Sequence, residues 1–452
     1  MQLTWACTLL IVSLAAAGNA QWNKVLRFAG MSPVAVAAVP NLSLQAQVDQ
    51  SPPGSMLLVP PGSYEGPLVI TKPIELRGEQ GGTVTLHHTG DQPTLRIEAE
   101  HVKIAGLQIV DEGHKEAPAI QVLGNEILLD DLVVRTASTA ILIQDSREVE
   151  IMRSSIEWNG AADTMPFARR NGVDLYQAHD ILLSDNTIVG MRDGIYLENS
   201  DNVKISGNRI EGSRYGIHSM YTHGTVIREN TGAQNVTGAM VMAARDVQVT
   251  GNVFAKQDQN VHAQGILLYD VHESVVRDNT VEGNRVGLYV EQATHNEILD
   301  NRLSYNFIGL QLMKTENNVI RGNAFIGNVS DAQAKNSTEN KLAGNYWDTF
   351  QGIDIDGDGL SDTSYAIHPF FVSLTQQRPV FQLFFQSPGI RFLESFVETE
   401  RNEWTTDPSP LMEPPESIRS NHDKADRRTG ITGMLLLGCS CLLLFRFRRK
   451  KA

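Results

Sequence analysis

Cysteine is nearly missing from this chain of 452 residues: only Cys7, Cys439 and Cys441 occur, in apolar runs at the two ends. A body without cysteine makes no disulfides and offers no thiolate to a metal, which suits an exported protein with nothing to oxidise. Positive charge is also short, with 38 Lys and Arg against 52 Asp and Glu and a net charge of −14. No basic face is available to neutralise phosphates, so nucleic acid is excluded as a partner. No Gly-rich phosphate-binding loop is present either.

Long apolar runs are confined to the ends. Leu3 to Ala17, followed by Gly-Asn-Ala, reads as a secretory signal over residues 1–20, although its first residues carry no Lys or Arg. At the other end, residues 429–451 read as a transmembrane segment with a cationic tail, Arg446, Arg448, Arg449, Lys450 and Lys451. Its apolar part, Thr429 to Phe445, would span about 25 Å as a helix, slightly short of a hydrocarbon core, and flanking Arg and Lys can snorkel. The cationic end belongs in the cytoplasm, which leaves the body outside it. A C-terminal sorting tail that is later removed has the same pattern.

Between the ends the chain repeats. Asn186, Asn208, Asn230, Asn252, Asn279, Asn301, Asn323 and Asn345 follow one another at intervals of 22, with a single interval of 27. Gly172, Gly194, Gly216, Gly238, Gly265, Gly287 and Gly309 keep step, and the longer interval falls in the same place. Short alternating apolar runs, turns and a recurring Asn at this period predict an all-β fold: a right-handed parallel β-helix of about a dozen coils. Leucine-rich repeats require recurring Leu at their own spacing, and helical repeats require a 3.6-residue period; both are absent. Leu107, Leu132 and Ser154 occupy the Asn slot in earlier coils, and ten extra residues around AADTMPFARR form an outward loop. The β-helix is expected over residues 41–346, with its opening coils from Leu44. An irregular cap with an acidic loop and a short helix follows over 347–415, then a linker over 416–428.

Strand alternation separates the two faces of each coil. Ile217 and Ser219 belong to the inward set, and His218 and Met220 to the outward set, as do Met240 and Met242 one repeat later. These four residues are expected at the corners of a rectangle on the outer wall, roughly 4.8 Å across coils and ~6.7 Å along the strands. Imidazole and thioether are the donors that favour Cu(I) where thiolates are lacking. Tyr221 and His223 lie just beyond, with His223 a further candidate ligand. The same residues also suit an adaptable apolar patch that grips a protein partner.

Asp354, Asp356, Asp358 and Asp362, with Gly359, follow the spacing of a calcium loop except that its last ligand position holds Tyr365. A calcium-stabilised turn is expected there. Parallel β-helices also include enzymes acting on acidic polysaccharides, and Asp174, Arg192 and Glu198 supply fragments of an acid–base set. A lyase or epimerase of that kind is the alternative reading.

The chain resembles the NosD family of periplasmic β-helix proteins, maturation factors of nitrous oxide reductase. The residues that carry the likeness are Arg192 to Tyr196, Arg214 to Tyr221, Gly238 to Met242, Gly344 to Trp347, the Asp354–Asp362 loop and Ser387-Pro388. The resemblance implies a non-catalytic role in assembling that reductase's copper–sulfur centre. It implies transient copper binding and work alongside a copper chaperone and the membrane and ATPase subunits of an ABC transporter. The C-terminal segment is where the sequence departs from the family pattern.

Overall fold

In the computed structural model, residues 42–111, 113, 115–257, 263–367 and 404–416 are described, with residues 35–37 and a few single positions between 368 and 403. The chain winds into a right-handed parallel β-solenoid of about 13 turns. Its three walls are sheets of 14, 13 and 12 strands, and within each sheet every strand pairs with its counterpart one coil away. The third wall runs from Leu68–Ile70 to Ser330–Lys335 and carries the strands of interest here.

The short strands form because apolar residues alternate. Ile195, Leu197, Ile217, Ala239, Val241, Ile266 and Leu268 are all buried in the core, while their alternates face out. A solenoid of this kind leaves the corners as its weak points, because the backbone turns there and loses its sheet partners. The asparagines answer this need. Each side-chain amide from Asn186 to Asn323 donates to the carbonyl oxygen of the next asparagine, at 2.9–3.0 Å, and also to a backbone carbonyl on a neighbouring coil. Each Oδ1 in turn accepts the backbone N–H of the preceding asparagine. Ser154 takes the same role in an earlier coil, accepting from the backbone N of Leu132. Two further ladders line the other corners. One runs through Asn284, Asn306 and Asn328, the other through Asn296, Asn318 and Asn340.

The ends are closed differently from the body. Leu44, expected to open the first coil, instead begins a helix, Leu44–Gln50, capped by Ser43 Oγ accepting from Ala46 N. Leu44 and Val48 cover the first coil. At the far end Asp407 accepts from the amide of Asn345 and from Trp347 Nε1, which terminates the first ladder on a carboxylate. Phe325, Trp347 and Tyr365 stack in sequence at 4.1 and 4.2 Å, and Tyr365–Ile367 pairs antiparallel with Thr405–Asp407. Among the described residues no helix is long and apolar enough to cross a membrane. The signal over 1–20, the transmembrane segment over 429–451, most of the linker and nearly all of the short helix expected after Ser387-Pro388 lie outside the described residues.

Candidate metal centre

The strand Tyr215–Met220 lies between Asp193–Glu198 and Thr237–Arg245 on the third wall. Its register sets His218 against Met240, and Met220 against Met242. The four positions therefore form the block that strand alternation predicts. A glycine admits this close stacking at the strand entrance: a Cβ on Gly216 would lie 2.5 Å from the carbonyl oxygen of Gly238. On the side away from Met240, the neighbour of His218 is Tyr196, and the neighbour of Met220 is Glu198.

His218 departs from the open patch expected on the outer wall, since only 7% of it is exposed. The tyrosines of two coils enclose it. The Tyr196 ring lies 5.0 Å from the imidazole, and Tyr215 meets it edge-on at 4.9 Å. Arg214 covers the outer side of Tyr215, 4.4 Å above the ring. Met220, Met240 and Met242 are half-buried beside this box.

One carboxylate sets the chemistry of the imidazole. Asp193 is fully buried, with Oδ2 3.1 Å from His218 Nδ1. Arg214 holds the same carboxylate in a two-pronged grip, Nε to Oδ1 at 2.9 Å and Nη2 to Oδ2 at 2.6 Å. Burial pushes the Asp193 carboxyl up, but the hydrogen bonds from His218 and Arg214 more than offset it and hold it below the ordinary carboxylate range. An ionised carboxylate only accepts, so Nδ1 carries a proton, and in the neutral ring Nε2 keeps its lone pair. That Nε2 is buried and has no hydrogen-bond partner. A polar atom in this position is costly unless something completes it, on the order of 1–3 kcal/mol. A carboxylate that orients a histidine through one ring nitrogen and leaves the other as a donor is the usual support of a metal-bound imidazole. With three thioethers beside it, the donor set fits a soft monovalent ion such as Cu(I).

His223 is placed elsewhere. After Met220 the backbone turns at Tyr221, where φ is 56°, and His223 lands exposed on the corner, opposite Arg245, with its N–H donating to Asp201. In the acidic loop, ligand oxygens of Asp354, Asp356 and Asp362 lie within 4.8 Å of one another. Asp358 stands apart and caps the N–H of Leu360 at 2.8 Å.

The residues proposed for acid–base work lie on the same wall. Asp174 accepts from the Asn171 amide at 2.7 Å, and burial raises its carboxyl above the usual range. Glu198 accepts from the Tyr196 hydroxyl at 2.7 Å. Arg192 Nε is buried without a partner. Sequence reasoning missed Asp193, Arg214 and Tyr215 as parts of the site. Asp193 precedes the Gly that marks each coil, and no other coil on this wall repeats an acid there.

No curated protein matches the chain. Among solved structures, an alginate lyase, AlyF-OU02, solved in complex with G6, is 13% identical over 69% of this chain and 85% of its own, with a TM-score of 0.52. The A-module of the mannuronan C-5 epimerase AlgE4 of Azotobacter vinelandii is 16% identical over 64% of this chain and 86% of its own, with a TM-score of 0.47. At such identity the likeness is one of fold. Residues 159–352, which include the whole His218 face, match the family model described as Periplasmic copper-binding protein (NosD), and the parallel β-helix around them is the fold consistent with that family.

Proposed function

We propose that the chain is a non-catalytic periplasmic accessory factor that holds copper, as Cu(I), on its third wall while the copper–sulfur centre of nitrous oxide reductase is assembled. The observation that carries this reading is the buried, unpartnered Nε2 of His218, aligned by Asp193 and neighboured by Met220, Met240 and Met242. The match to a periplasmic copper-binding family supports the same metal and compartment. A copper chaperone delivers the ion in this reading, and the membrane and ATPase subunits of an ABC transporter dock on the rod. Residues 429–451 tether the chain to the inner membrane. The loop of Asp354, Asp356 and Asp362 takes calcium as a structural ion, its oxygens being the hard donors that cation requires.

The carbohydrate-active alternative is less well supported. A lyase or epimerase base must reach a carbon-bound proton on a polymer, and the two acids offered for that work are engaged, Asp174 by the Asn171 amide and Glu198 by the Tyr196 hydroxyl. Release of unsaturated or epimerised uronates from an acidic polysaccharide by the purified chain would restore that alternative. The accessory role is tested in cells that make nitrous oxide reductase, by giving this chain the pair Met220→Ala and Met242→Ala. The reading predicts reductase of normal abundance with depleted copper; a full copper complement would refute it.

A further inference from the structure

A site of imidazole and thioethers selects copper(I) only while harder donors are kept away, and a carboxylate stands directly beside this one. Glu198 is the cross-strand neighbour of Met220, on the same outer face. Free to turn toward the thioethers, it would add an anionic oxygen to the set and suit the site to Zn(II) or Cu(II). Its Oε2 is instead 2.7 Å from the hydroxyl of Tyr196, which can only be donating, since an ionised carboxylate does not. The same pairing recurs two coils beyond Met240 and Met242, where Tyr289 donates to Glu291 at 2.7 Å. Asp174 is held by Asn171, and Asp193 by Arg214 and His218. The acids around the methionines are thus each engaged by a neighbour.

We propose that Tyr196 is a specificity-determining residue: by holding Glu198 it keeps a carboxylate out of the His218–Met220–Met240–Met242 set and excludes hard divalent cations. The inference rests on the copper reading for what the site admits, but the restraint of Glu198 stands on geometry alone. Burial, and then the neighbouring Glu198, pushes the Tyr196 phenol above its ordinary value, so it remains a protonated donor across the physiological range. Tyr196 thus has two tasks, covering one face of the imidazole with its ring and holding the acid with its hydroxyl.

The test compares the full chain with Tyr196→Phe, Glu198→Gln and the double variant, each titrated with Zn(II) alone and, anaerobically, with Cu(I) against a competing chelator. Phenylalanine keeps the ring over His218 and removes only the hydroxyl, and thermal unfolding checks that the coil is intact. The expected result is Zn(II) affinity raised about 10-fold or more in Tyr196→Phe, the size of one lost charge-assisted hydrogen bond, with Cu(I) affinity within about threefold of the parent. In the double variant the gain in Zn(II) affinity disappears. Unchanged Zn(II) affinity in Tyr196→Phe, or a gain that survives Glu198→Gln, overturns the proposal. A parent with no Cu(I) affinity overturns the copper reading instead, while the zinc comparison still decides whether Tyr196 restrains Glu198.

Discussion

Two of the polar columns along this rod solve the problem of buried polarity in opposite ways. In the asparagine ladder from Asn186 to Asn345 each amide satisfies the next, and the last ends on Asp407. On the third wall the column through Asp174, Tyr196, His218 and Met240 changes residue at every step, and it leaves His218 Nε2 unmet. A repeat that satisfies itself does structural work and needs nothing from outside. A column that breaks the repeat, gathers ion pairs and still leaves a donor atom open marks a place where stability gives way to function.

The sharpest way to break the contrast is to damage the ladder. Asn252→Ala removes bonds to Asn279 and to the Ile227 carbonyl and leaves the N–H and amide of Asn230 without their acceptor. A loss of about 4 kcal/mol is expected in urea unfolding, from several buried groups left unmet at once. Copper retention by the folded fraction should be unaffected. On the third wall, Arg214→Met leaves the buried Asp193 with His218 alone. This should cost about 3 kcal/mol at neutral pH and weaken copper binding as well.

The parent's pH dependence follows from the same group. Asp193 titrates lower in the folded chain than unfolded, so its contribution is complete above pH ~4 and is lost as pH falls through the folded value. Asp331, at the last coil, behaves in the reverse sense. Burial raises its carboxyl to about 6, above the unfolded value, so stability falls as pH rises from ~4 through about 6. Asp331→Asn should therefore raise stability at pH 7 by about 2 kcal/mol and flatten that interval, as read by unfolding midpoints across the range. The smallest effect belongs to the acidic loop. Millimolar calcium should add about 1 kcal/mol to the parent and nothing to Asp354→Asn.

Much of this was legible in the residues. The 22-residue period, the alternation that divides Ile217 and Ser219 from His218 and Met220, and the block formed with Met240 and Met242 all follow from spacing alone, because parallel coils in register turn sequence period into spatial adjacency. Asn284, Asn306 and Asn328 repeat as plainly as the first ladder, yet their role emerges only once the corner they line is seen. The burial of His218 was not legible. It depends on how far the rings of Tyr196 and Tyr215 lean toward it, and strand alternation gives the face of a residue but not the reach of its neighbours. Asp193 was hidden for a related reason. It is the first residue of its strand, where the burial alternation has not yet begun, and it meets a histidine 25 residues later. The opening helix Leu44–Gln50 was masked by the strand-like run that follows it, although Ser43 is a recognisable cap.

The most direct test of the account is an anaerobic Cu(I) titration of the intact chain against a competing chelator, repeated for His218→Ala and for the pair Met220→Ala with Met242→Ala. The account predicts tight binding by the parent, lost by about 100-fold or more in both variants while the β-helix unfolds at nearly the same temperature; a loss of one or two of the four donors is of that order. Equal Cu(I) affinity in parent and variants would contradict it and leave the His–Met face as a surface for protein partners.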